Sequence, residues 1–216
     1  MSTVVRVHHD ATSRLAEIGL DPEILRRAVE AGEMAADTCT DHDPSGFRGY
    51  TLWGVCTREL RMGLTPRGWK RQNRQNLPLV VSPDGAIAIT VATGDPNTGI
   101  EDATPHTKNP RGRVTLTAIG VNAVQLTFLD PVGQLRPEPG VEPVALTWIL
   151  LFYRDRDIIR CELSLADAWD DDGRPCGWAE RLILEPVGVV DRPTIQMEQE
   201  PEIDVEVERK SSEQGG

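Results

Sequence analysis

No run of apolar residues in this 216-residue chain approaches a membrane span. A bilayer-crossing helix needs about 20 such residues, and the longest apolar stretch, Trp148 to Tyr153, has six. The opening residues, Met1-Ser2-Thr3-Val4-Val5-Arg6-Val7, lack the charged start, apolar middle and small-residue cleavage site of a secretion signal. The expectation is a soluble, cytosolic protein. CxxC pairs are missing as well. Cys39, Cys56, Cys161 and Cys176 are separated by 17, 105 and 15 positions, which excludes a zinc ribbon or a thioredoxin-like motif. Disulfide frameworks belong to secreted chains, so all four read as ordinary reduced residues.

The familiar catalytic signatures are absent too. A phosphate loop needs Gly-Lys-Ser/Thr opening a helix, but Gly99 is followed by Ile100-Glu101-Asp102. The glycine spacing of a dinucleotide fingerprint is missing. Counted back from Gly173, a calcium loop would put Ala168 and Ala179 at its first and twelfth positions, so two ligands fail and Asp170-Asp171-Asp172-Gly173 reads as a turn. Glu162 is followed by Leu163-Ser164, without the lysine of an Asp…Glu-x-Lys nuclease. No serine elbow, Cys–His signature or kinase set is present, and no cofactor is indicated.

What is present suffices for one domain with a real core: 39% hydrophobic residues, with a net charge of −11. That charge argues against the chain as a whole binding nucleic acid. It is unevenly spread. Residues 192–216 hold seven acids and three basic residues, whereas residues 55–74 hold six basic side chains against one acid, Glu59. The expected organisation is a globular domain over 1–190 and a disordered acidic tail over 191–216, where turn signals and core-sized apolar groups run out.

Local patterns predict helices at Thr12–Ile18, stopped by Gly19, and from Asp21 to Ala35 or Ala36. In the second, Asp21 is the N-cap, Pro22 occupies the first turn, and Ile24, Leu25, Ala28 and Val29 form an apolar stripe. Gly32 stands out as a weak point, costing about 1 kcal/mol relative to Ala. Together the two helices read as a hairpin packed on a sheet rather than a helix-turn-helix. Tyr50–Met62 has helical spacing. Leu79–Val81 and Ala86–Ala92 around Pro83-Asp84-Gly85 read as a hairpin, the second strand being apolar on both faces and therefore central. Residues 113–129 favour helix over strand. Val144–Tyr153, Ile158–Leu165 and Trp178–Leu184 read as strands, and Val4–Val7 as a short edge strand or a loose start. The fold class expected is α+β: N-terminal helices on a mainly antiparallel sheet, then a disordered acidic C-terminal tail.

Three candidate sites follow. The loop 93–109 leaves a buried strand and carries Asp95, Glu101, Asp102 and His106. Asp95 and His106 are its candidate catalytic pair, for acid–base work or as metal ligands, against the plain reading of Gly, Asp, Asn and Thr as turn formers. The basic stretch offers Arg58, Arg61, Arg67, Lys70, Arg71 and Arg74 with Trp69 as a binding patch, cations for phosphates and a ring for a base, or a surface for an acidic partner. Its plain reading is a solvated helix end. The tail segment Pro201–Glu208 alternates, placing Ile203, Val205 and Val207 on one side of a strand that could extend a protein partner's sheet. Glu162 and Glu180 are expected to pair with Arg160 and Arg181 across strands, worth at most about 1 kcal/mol.

Ser82-Pro83-Asp84-Gly85 through Gly99, and Glu162 through Pro186, resemble stretches of bacterial proteins, a resemblance that implies no activity, fold or residue role. The reading that results is an accessory or interaction protein of a larger complex, with a protein partner and without its own catalysis. The alternatives are a metal-dependent hydrolase or nuclease-like enzyme using the 93–109 loop, and a nucleic-acid-contacting subunit using 58–74.

Overall fold

An acidic cap and a proline in the first turn set the best-defined helix of the chain. The computed structural model describes residues 3–126 and 145–188. In it the Asp21 carboxylate accepts the Glu23 N–H at 3.0 Å, and α2 runs Pro22–Ala36. Such a cap contributes about 1 kcal/mol. Its stripe, Ile24, Leu25, Ala28 and Val29, is buried. The helix before it, α1 (His8–Glu17), starts four residues earlier than its sequence predicts, directly after β1 (Val4–Val7), and the chain turns out of it at Gly19 with φ +74°. The third helix, α3 (Phe47–Leu64), packs along α2.

Gly32 is the reason these two helices can approach closely. A Cβ there would lie 2.9 Å from the Leu52 carbonyl oxygen and 3.1 Å from Cys56 Cβ. The glycine that looks like a weak point is therefore a packing requirement. Gly32→Ala would gain helix propensity, yet it is expected to lower the melting temperature because backbone must move. A rise in the melting temperature would refute this role.

The strands β2 (Lys70–Arg74), β3 (Leu77–Val81), β4 (Ile87–Thr93), β5 (Leu146–Asp155), β6 (Ile158–Trp169), β7 (Pro175–Ile183) and β8 (Val187–Gly188) join β1 in one sheet. The order is β1-β7-β6-β5-β4-β3-β2, with β8 alongside the start of β6. Pairing is antiparallel except for β4–β5 and β1–β7. The parallel β4–β5 step needs a crossover, and α4 (Arg113–Leu126) lies on it, so the helical spacing of this segment prevails over its threonines. No described helix is long and apolar enough to cross a membrane.

Alternation along the strands sends two sets of side chains to two layers. Ile89, Val91, Leu150, Phe152, Cys161 and Leu163 meet α1–α3 in the main core. Ala92, Ile149, Leu151, Ala166 and Trp178 meet Ile119 of α4 in a smaller core on the opposite face. All four cysteines are free, and burial drives the Cys56 and Cys161 thiols well above their ordinary range. The segment Lys70–Arg74, expected only as a basic stretch, is an edge strand. Its charges protect an open edge from pairing with another chain.

Candidate functional site

The polar loop after β4 is tied at its neck by backbone. Gly94 N–H donates to Phe152 O at 2.8 Å, Asp95 N–H to His106 O at 3.0 Å, and Lys108 N–H to Thr93 O at 2.9 Å. The enclosed segment forms a compact Ω-like loop. Within it, the Asp95 side chain accepts the Asn97 N–H at 3.1 Å, and Asn97 Nδ2 donates to Thr104 O. Gly94 is obligatory, since a Cβ would meet Thr98 Oγ1 at 2.0 Å.

Beneath this loop, on the α4 face of the sheet, sits an ion pair of Glu162 and Arg181, 0% and 3% exposed at their side chains, with Nη2–Oε2 at 2.6 Å. Arg181 also donates to three loop carbonyls: Ala103 O at 2.6 Å, Ile100 O at 3.0 Å and Glu101 O at 3.4 Å. Glu162 accepts Gly99 N–H at 2.9 Å and the Ser164 hydroxyl at 2.7 Å. Trp178 Nε1 donates to Pro105 O at 3.0 Å. Expected as a cross-strand contact worth at most about 1 kcal/mol, Glu162–Arg181 is the buried peg that holds the loop. The other two expected partners pair elsewhere, Arg160 with Asp155 and Glu180 with Arg6 and Arg14.

The loop's four candidate residues are thereby divided. Glu101 and Asp102 lie exposed at the far end, Glu101 meeting Arg181 through its backbone carbonyl alone. Asp95 and His106 remain at the neck, Nδ1 to Oδ2 at 3.5 Å, both partly exposed. They line a cleft of about 870 Å³ beyond the carboxyl ends of the parallel strands β4 and β5. Crevices at such strand ends are favoured places for ligands.

The remaining walls of the cleft come from distant parts of the chain. Glu33 of α2 and Arg48 of α3 form one side, Arg154 and Arg156 the strand end, and Asp170 with Arg174 the floor turn. Glu33 is nearly buried, and desolvation pushes its carboxyl up despite Arg48 and Arg154. Partial desolvation also raises neighbouring Asp37, but hydrogen bonds from Arg154 and Arg48 outweigh it and hold this carboxyl down. Arg48 and Arg154 are thus consumed by a wall network. Lys108 and Arg156 make no ion pair among the described residues. The cleft presents five cationic side chains against three carboxylates. Among the described residues, no three His, Cys, Asp or Glu side chains gather where they could hold a metal ion.

The basic stretch does not form one surface. Arg61 turns inward and donates to Gln72 O at 2.7 Å and Leu79 O at 3.1 Å, and burial lowers its pKa. Arg67 caps Gly63 O and faces Asp21. Trp69 is 4% exposed in the main core and has no free ring face for a base. Arg58, Lys70, Arg71 and Arg74 stay exposed, Arg58 beside Glu59. Ile203, Val205 and Val207 lie outside the described residues. The cleft cations Lys108 and Arg156 carry no motif, since residues this far apart are joined only by the parallel step and the β5–β6 hairpin. Glu33 did carry a signal, a carboxylate on the apolar stripe of α2.

No protein-family model, curated protein or solved structure matches this chain.

Proposed function

We propose that the protein is a non-catalytic accessory protein that captures an acidic segment of a protein partner in the cleft beyond β4 and β5. The supporting observation is the surplus of cations there, with Lys108 and Arg156 available because no carboxylate of the described residues pairs with either. A carboxylate-rich peptide would neutralise both while leaving the Glu33–Arg48–Arg154 wall intact. The cleft is open and rimmed by charged side chains, which suits an extended charged chain better than an apolar small molecule.

The test is a fluorescein-labelled Glu-rich peptide titrated by anisotropy. Binding should weaken steeply with salt, and Lys108→Glu with Arg156→Glu should reduce affinity by about tenfold or more, because like charges are then opposed. The same titration on a chain ending at Asp191 tells whether the acidic tail competes for the cleft; tighter peptide binding by the shorter chain would show that it does. Salt-insensitive binding, or affinity unchanged in the double variant, overturns the proposal.

A second reading rests on the Asp95–His106 pair. A carboxylate beside an imidazole is how a general base is held for activating water. This reading expects a hydrolytic activity that His106→Gln abolishes and Asp95→Asn reduces.

A further inference from the structure

On one side the sheet ends at β2, and the β2–β3 turn fixes which of its backbone groups are unused. Gln75 and Asn76 both have positive φ, +44° and +67°, the mark of a two-residue type I′ hairpin. The pair flanking such a turn, here Arg74–Leu77, is a hydrogen-bonded rung. Opposite residues alternate between bonded and unbonded, so Gln72–Leu79 and Lys70–Val81 are rungs and Asn73–Pro78 is not. That suits Pro78, which has no N–H to give. Arg71 and Asn73 therefore direct their N–H and C=O groups away from the sheet, and no described residue pairs with them.

The side chains of this edge are cationic. Lys70 and Arg74 lie on the α4 face, opposite Val81 and Leu77, and Arg71 lies on the other face. All three are exposed, and none pairs with a carboxylate among the described residues. Like charge turns away a second basic edge, and the same cations favour an acidic strand. The opposite edge of the sheet lacks this character, because the one cation of β1, Arg6, already meets Glu180.

We infer that the segment Glu202–Glu208 of this same chain adds to β2 as a further strand. Its alternation puts four acids on one side and Ile203, Val205 and Val207 on the other. The acids share the face of Lys70 and Arg74, and the β-branched residues stand opposite Arg71 and Asn73 and bond their outward groups. Reach and direction both allow it. Gly188 lies opposite Ile158, and Ile158 opposite Asp155, so β8 stops at the end of the sheet where the β2–β3 turn lies. Six strand spacings, about 30 Å, separate β8 from the open side of β2. The 13 residues from Val189 to Pro201 span up to about 40 Å when extended. Arriving from the turn end, the segment runs antiparallel to β2. Asn73 and Arg71 then face either Ile203 and Val205 or Val205 and Val207, so Val205 supplies a rung in both registers.

The experiment is amide hydrogen exchange of the full chain, read by NMR residue by residue along β2. Val205→Pro removes the N–H that the edge needs without touching the β2–β3 rungs. It should speed exchange at Arg71 and Asn73 by about tenfold, the equivalent of one net hydrogen bond. Gln72, whose N–H faces β3, should keep its rate. Replacing Asp204 and Glu206 by Lys should expose the same two amides through charge alone. Equal rates at Arg71 and Asn73 in the parent and in Val205→Pro overturn the inference, as does an equal acceleration at Gln72. Protection that rises with protein concentration also overturns it, since the strand would then come from a second copy.

Discussion

Arg181→Met is expected to lower the unfolding free energy by about 3–5 kcal/mol, the cost of leaving a buried charge without its partner. For a domain with about 5–15 kcal/mol in total, this is the difference between a folded protein and a marginal one. The side chain is 3% exposed and serves Glu162 together with three carbonyls of the 94–107 loop. Methionine fills much of its volume but returns none of those bonds. The carboxylate of Glu162, 0% exposed, keeps only Gly99 N–H and the Ser164 hydroxyl. Hydrogen exchange should accelerate first at Gly99 and its loop neighbours, with the α1–α3 face staying protected. Combining Arg181→Met with Glu162→Gln should recover part of the loss by removing the stranded charge. The neighbouring Glu180 sets the scale, because its partners Arg6 and Arg14 are partly exposed, and Glu180→Gln should cost about 1 kcal/mol. Urea denaturation of the three variants beside the parent decides it: equal small losses for Arg181→Met and Glu180→Gln would mean that Arg181 is not the peg.

This contrast also marks where the sequence stops being informative. Alternation along Ile158–Leu165 correctly separates Ile159, Cys161, Leu163 and Leu165 from Arg160, Glu162 and Ser164, and the first set does face the main core. A polar face of a strand ordinarily means water. Here it means a second layer, built from an irregular loop that leaves no periodic trace of covering anything. The same blindness applies to Trp69, which charged neighbours surround in sequence but which the β2–β3 pairing turns into the core. Elements whose signals are local were legible: the Asp21 cap, the stripe of α2, the turn at Gly85, and the two apolar faces of β4. β2 was not, because Lys-Arg-Gln-Asn-Arg has no strand preference and becomes a strand through pairing with β3. In the candidate site, Asp95 and His106 were legible as a pair on one loop. Lys108, Arg156 and Glu33 were not legible as their neighbours, because only the parallel β4–β5 step and the helical layer bring them to one cleft.

Asn122→Leu should be nearly as damaging, at about 3 kcal/mol, although leucine is a better helix former and suits an apolar core. Asn122 is 0% exposed on the buried face of α4, one turn on from Ile119. Its Nδ2 donates to Thr147 O at 2.8 Å and Ala166 O at 2.9 Å, and its Oδ1 accepts Thr147 N–H at 2.8 Å. The β5–β6 ladder ends at Trp148–Leu165, one pair short of these residues. The carboxamide thus replaces a missing rung and fixes α4 to both strands. Leucine would strand one N–H and two carbonyls, each costing about 1–3 kcal/mol when left unpaired. Asn122→Asp separates this explanation from simple packing. A carboxylate there would face two carbonyl oxygens in a dry site, so its folded pKa should rise above the unfolded value of about 3.9. The protonated form can still donate one bond. Between the two pKa values the folded state then holds the proton that the unfolded state has released, so stability falls as pH rises. Asn122→Asp should be closest to the parent near pH 4 and lose ground steadily toward pH 7.5, measured as the difference in urea midpoint. A gap that stays constant with pH would place Asn122 among shape-filling residues instead of rung-forming ones.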